Sequence, residues 1–208
     1  MQKVCRLAQS DKLKVVYLDI FSCRSDRDFY DAFAAAVLKQ TSSKLDEWLD
    51  NARLFLSRIS PKISMSTDPM TDFSISLEMN PKSNDIDEIL QLPEKIAQKK
   101  GYNIVICIDE FQQIAEFKDS KIFQKRLRTV WQLQKSVSYC LFGSKKHLMN
   151  ELFEKKSLPF YKFGDAIYLP KIGTSDWVDY ICGRFEATGK QISKESVSYT
   201  HLTLPTIA

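Results

Sequence analysis

Apolar residues along this chain follow two alternating rhythms. KVVYLDIF (14–21) is a short continuous run rich in β-branched residues, the pattern of a strand covered on both faces. Ser25 with Asp28 three positions later forms a capping-box signature, and the spacing predicts a helix from there to about Gln40. A second amphipathic helix is expected over 44–59, with Leu45, Trp48, Leu49, Ala52, Phe55 and Leu56 on one face and Pro61 as its stop. The period then drops to two. KISMS and FSISLEM, on either side of the turn-like TDPMTD, predict a hairpin over 62–79 with one wet face.

Asn84 or Asp85 is placed to cap a helix that breaks and restarts at Pro93, then ends at Lys99-Lys100 with Gly101 as its stop. NIVICIDEF is the strongest buried-strand signal in the chain. Ser120 is placed to cap a helix through about Lys135, SVSYCLFGS reads as another buried strand, and 145–155 as a helix. DAIYLPKI is a fourth apolar strand, and Thr174 or Ser175 opens the helix SDWVDYICGRFEAT, which Gly189 stops. Strands alternating with helices specify an α/β fold with a mostly parallel sheet. The tail SKESVSYTHLTLPTIA shows no helical period, although Ser193 resembles a cap, and a non-native segment is expected after about Glu195.

Composition narrows the class. The chain has 208 residues, 44% hydrophobic and 12% aromatic, enough to bury a core without staples. Its five cysteines (Cys5, Cys23, Cys107, Cys140, Cys182) are odd in number and include no C-x-x-C pair. That argues against a disulfide framework or metal knuckle and fits a reducing cytoplasmic setting. No apolar run is long enough to span a membrane. A net charge of +4 does not support a nucleic-acid partner. The Lys99/Lys100 and Lys155/Lys156 pairs close predicted helices, where cations favour the helix dipole. Glycine is scarce at 6, where about 7% usage would give roughly 15.

The candidate chemistry sits at the C-terminal end of the NIVICIDEF strand, the edge at which open α/β sheets bind ligands. Asp109 and Glu110 are adjacent there and point different ways, so their roles can separate. Asp109 suits Mg²⁺, a hard cation that wants oxygen, and Glu110 suits a water that attacks phosphorus. Ser144 ends the next strand, where a polar residue can sense a phosphate or hold that water, or else cap the following helix. Asp19 is the further carboxylate at a strand end.

These segments resemble the AAA+/STAND group of P-loop ATPases, with the closest likeness to the AAA-type ATPases of archaea and Bacteroides-like bacteria. VICIDEFQQI resembles a Walker B strand and VSYCLFGSKKHLM a sensor-1 strand. PFYKFGDAIYLPKI resembles the strand that follows, and DWVDYICGRFEATGKQIS the entry to the helical lid. The resemblance implies a parallel-sheet P-loop NTPase (ASCE/AAA+) core with an inserted hairpin, binding ATP with Mg²⁺. Asp109 would be the metal partner, Glu110 the catalytic base and Ser144 the sensor-1 residue. It also implies an arginine that stabilises transition-state charge, for which Arg126 and Arg128 are candidates.

The chain departs from that family at the phosphate loop. G-x-x-x-x-G-K-[ST] does not occur, and the single Gly-Lys pair, Gly189-Lys190, is followed by Gln191. The expectation is therefore a partial core over 1–192 without the Walker A strand, followed over 193–208 by a truncated lid start and the non-native tail. Such a chain is inactive alone and forms part of an ATPase. The alternatives are an ATPase-like scaffold that binds a protein partner through hairpin 62–79, or a DNA-handling helper ATPase. A homo-oligomer is compatible with all of these.

Overall fold

The computed structural model describes residues 7–42, 60–64, 74–78, 83–170 and 172–202. The expected helix over 44–59 lies outside them. They form two compact units, one ending at Gly164 and one starting at Asp165.

In the first unit, β1 (Leu13–Asp19), β4 (Asn103–Asp109) and β5 (Val137–Leu141) form a parallel sheet in the order β1-β4-β5. Asp19 pairs in register with Asp109, and Ile108 with Leu141, so all three strands end at one edge. One face carries Val16, Leu18, Ile104, Ile106 and Ile108 into the main core. The other carries Val15 and Cys107, with Tyr17, Val105 and Phe142 half-buried around them. Ser138 and Cys140 on that second face are exposed. The alternation of burial along β5 follows from this uneven cover.

The outer side of β1 is closed by two glutamine side chains acting as a surrogate strand. Gln9 accepts from the Val15 N–H (3.1 Å) and donates to its carbonyl (2.7 Å). Gln40 does the same for Tyr17, at 2.8 and 2.9 Å. An edge strand would otherwise offer those groups to another chain.

Helix α1 (Asp26–Thr41) starts at the expected capping box. The Ser25 Oγ accepts from the Asp28 N–H at 3.2 Å, and Asp28 accepts from the Ser25 N–H at 3.0 Å. Those bonds, and the one from the Arg24 N–H above all, hold the Asp28 carboxyl below its usual range. Ser25→Ala is expected to cost about 1 kcal/mol, measurable by urea denaturation. Phe29, Phe33, Val37 and Leu38 form the buried stripe of α1.

Strands β2 (Ser60–Ser64) and β3 (Ser74–Glu78) pair antiparallel as the expected hairpin, with Pro61 inside β2 opposite Leu77. Helix α2 (Ser83–Lys100) differs from expectation in its start and in its continuity. It begins at Ser83 and runs unbroken through Pro93. Proline removes one backbone bond, but Ile89, Leu90, Leu92 and Ile96 around it are fully buried and hold the helix to the core. Gly101, in the left-handed region at φ 72°, ends it as expected. Glu94 on α2 is 7% exposed, and its carboxylate accepts from the Lys135 and Ser136 N–H groups at 3.2 and 2.9 Å, fixing the chain that enters β5.

After β4, Phe111–Glu116 forms a 3₁₀ segment, followed by α3 (Ser120–Trp131). Asp119, not Ser120, is at the N-cap. The Ser120 hydroxyl instead donates to the Ile114 carbonyl at 2.9 Å, and the helix stops at Trp131, four residues short of Lys135. Helix α4 (Lys146–Glu154) has Lys145 at its N-cap, so Ser144 does not cap it.

In the second unit, α5 (Thr174–Glu186) and α6 (Lys194–Leu202) pack against each other, Val178 and Val197 are buried, and an exposed Lys194–Asp179 ion pair joins the helices at 2.9 Å. Gly173, not Thr174 or Ser175, holds the α5 N-cap, and Gly189 at φ 71° follows its end. Two expectations fail here. The described residues of the DAIYLPKI segment (165–170 and 172) form no strand, and Ile167 and Leu169 are each 85% exposed. A strand exists only through ladder bonds to a neighbour, and within the second unit no described residue supplies them to this segment. The tail, read as aperiodic, is helical to Leu202, with Ser193 Oγ accepting from the Ser196 N–H at 3.1 Å.

Candidate functional site at the C-terminal edge of the sheet

The register that aligns the strand ends brings the predicted carboxylates together. Asp109 is the last residue of β4, on the thinly covered face with Tyr17 and Cys107. Tyr17 Oη donates to Asp109 Oδ2 at 2.7 Å, and the Glu110 N–H donates to Asp109 Oδ1 at 2.9 Å. Its carboxylate is thus oriented through both oxygens, each with a lone pair left. Asp19, beside it on β1, accepts from the Phe21 N–H at 2.9 Å and turns the chain toward α1.

Glu110 takes the left-handed conformation at φ 54°, uncommon for a residue with a Cβ. Strain of that kind gathers at sites where a side chain must be aimed. The turn separates Glu110 from Asp109, as their adjacency at a strand end suggested. It sends the Glu110 carboxylate toward the end of β5, where Ser144 Oγ donates to Glu110 Oε2 at 3.2 Å. Gln112 Nε2 donates to the same oxygen. The three residues singled out in the sequence therefore share one edge, and Glu110 and Ser144 touch.

Two partners were missed. Tyr17 looked like one more apolar residue of a strand; its signal was the spacing of two from Asp19, which puts it on the Asp109 face. Gln112 lay in the quoted DEFQ segment, but no sequence rule assigned it a role.

The arginine candidates are occupied with structure. Arg128 Nη1 donates to the Pro159 carbonyl and, at 3.0 Å, to that of Tyr161, tying down the turn after α4. Arg126 Nε lies 3.4 Å from Asp87 Oδ1 on α2. Cys23, near the same edge, is no nucleophile: burial, with Asp28 and Asp19 beside it, pushes its thiol up to about 11. Its thiolate population is therefore about a hundredfold below that of an ordinary thiol. Alkylation at pH 8 is expected to label exposed Cys140 and spare Cys23. The stability linked to the protonated Cys23 is complete below pH 9 and is lost as pH rises through 11. A urea midpoint that falls over that interval is the check.

Among the described residues no group of three or more His, Cys, Asp or Glu is placed to hold a metal. Mg²⁺ does not need one, since it binds through one or two carboxylates, waters and substrate phosphates. An oriented Asp109 with free lone pairs fits that donor set.

No protein-family model matches the chain, and no curated protein does. Among solved structures it is similar to the ORC2 protein of Aeropyrum pernix, determined in ADPNP–ADP complexes. The TM-score is 0.54 and the identity 13%, over 89% of this chain and 40% of that one. The likeness is one of fold: an α/β arrangement with a three-stranded parallel sheet and flanking helices. The described sheet has three parallel strands, and the sequence holds no G-x-x-x-x-G-K-[ST] motif. The chain spans less than half the length of the solved relative. Among the described residues no helix is long and apolar enough to cross a membrane.

Proposed function

We infer that these 208 residues are the metal- and water-handling half of an ATP-hydrolysing AAA+ protein, whose phosphate loop lies outside this sequence. The observation that carries the reading is the joined edge: Asp109 oriented by Tyr17, and a strained Glu110 whose carboxylate meets Ser144. Asp109 would hold Mg²⁺, which supplies charge neutralisation on the β- and γ-phosphates when bound. Glu110 would orient a water and take its proton as the water oxygen attacks the γ-phosphorus and the β–γ bond breaks. Ser144 would couple that carboxylate to the end of β5 and to α4 beyond it, the route for a conformational switch. The ADPNP and ADP held by the solved relative support nucleotide as the ligand. The DEFQ and GSKKHLM segments favour the archaeal and Bacteroides-like AAA-type ATPases within that fold.

Calorimetric titration of the 208-residue chain with Mg·ATP is expected to show no binding tighter than about 1 mM. With the phosphate loop present in the same polypeptide, Asp109→Asn is expected to abolish the Mg²⁺ response of ATP turnover. Tight Mg²⁺-dependent ATP binding by the chain alone, or a normal Mg²⁺ response in that variant, contradicts the reading.

A second reading rests on the β2–β3 hairpin, a two-stranded sheet separate from the parallel one. In it the chain is a non-catalytic scaffold that docks a protein partner on the hairpin. A parent gene without a Gly-Lys-Ser/Thr loop would favour this reading.

A further inference from the structure

We propose that Gln112 is a positioning residue for Glu110, acting as a buried amide latch between the end of β4 and the end of β5. The proposal rests on the reading of Glu110 as the residue that handles water. Three observations carry it. Gln112 is 3% exposed and donates from Nε2 to the same carboxylate oxygen that Ser144 contacts, so two donors fix one oxygen of Glu110. The backbone of Glu110 is in the left-handed region, a strained conformation that persists only where surrounding contacts hold it. The Gln112 carboxamide also lies directly against Gly143. A Cβ built on Gly143 would overlap Gln112 Oε1, sit 3.0 Å from its Cδ and lie 3.3 Å from Met149 Sδ.

Glycine at 143 therefore has a reason beyond turn geometry: it clears the space that the latch occupies. Among the described residues the buried Oε1 of Gln112 has no hydrogen-bond partner. A glutamine present only for stability would be better replaced there by an apolar side chain, because an unpaired buried acceptor costs free energy. What the amide supplies in exchange is a donor aimed at Glu110.

Side-chain amide exchange, followed by NMR on the ¹⁵N-labelled 208-residue chain, tests the latch without any assay of turnover. The Gln112 NH₂ group is expected to exchange at least ~10-fold more slowly than that of exposed Gln132. Glu110→Ala and Gly143→Ala should each remove that protection, whereas the Gln124 amide, held by Ser120 at 2.8 Å, keeps its own. Protection of Gln112 that survives Glu110→Ala overturns the proposal, and that variant suffices if Gly143→Ala does not fold. In the ATP-hydrolysing protein, Gln112→Met is expected to lower kcat about 10-fold or more with KM unchanged. Wild-type kcat in that variant also overturns the proposal. If Glu110→Gln retains full turnover, the role of Glu110 fails instead, and amide exchange alone judges the latch.

Discussion

Glu110→Gln, in the protein that carries the phosphate loop, is expected to lower ATP turnover by about 10²–10⁴-fold, the contribution of a positioned general base. The substitution keeps length and shape. Its carbonyl oxygen can still accept from Ser144 Oγ and Gln112 Nε2, so the turn at φ 54° and the joined strand ends survive. What is lost is the negative charge and the basicity. The thermal midpoint is therefore expected to stay near that of the wild type while kcat collapses and KM for ATP changes little. Steady-state ATPase kinetics beside a melting curve separate the two effects. Equal turnover in variant and wild type would remove Glu110 from the chemistry.

Phe111→Ala is expected to have the largest effect on stability, about 3–5 kcal/mol, the usual loss for emptying a buried aromatic site. Against a typical total of about 5–15 kcal/mol, that leaves the fold marginal. Phe111 is fully buried and follows Glu110 directly. Its ring meets Phe160 edge-on at 5.5 Å and lies 6.1 and 6.3 Å from Phe153 and Trp131, so it joins β4, α3, α4 and the turn after α4. Its N–H donates to the Phe142 carbonyl at 3.0 Å, tying the exit of β4 to the exit of β5. The residue that anchors the core thus also sets the edge on which Glu110 and Ser144 meet. Phe111→Leu should restore most of the loss by refilling the volume. Urea denaturation gives the number, and a loss below 1 kcal/mol for Phe111→Ala would contradict this role.

The parallel sheet was legible because β1, β4 and β5 are apolar runs bounded by clear turn chemistry, and because buried strands repeat no helical period. The α1 cap was legible for the same local reason: Ser25 and Asp28 satisfy each other within four residues. The failures share a different cause. Continuity through Pro93 depends on Ile89, Leu90, Leu92 and Ile96 meeting the core, a tertiary gain that outweighs a local penalty. DAIYLPKI has the composition of a strand, but strand formation needs a neighbour, and composition carries no information about whether one is present. Ser120 and Ser144 looked like caps and instead donate to Ile114 and Glu110, contacts visible only once the loops are placed. In the site, residue types at the strand ends were readable. The Tyr17 and Gln112 contacts that orient them depend on strand register and on the left-handed turn at Glu110.

The proposed handling of metal and water for a nucleotide at the C-terminal edge of β4 can be seen in a crystal structure of the intact protein with ADPNP and Mn²⁺, the metal located by anomalous scattering. The prediction is one peak on the Asp109 carboxylate, directly or through a single water, with the γ-phosphate of the analogue facing Glu110. An analogue bound elsewhere on the protein, or a metal with no link to Asp109, would contradict it.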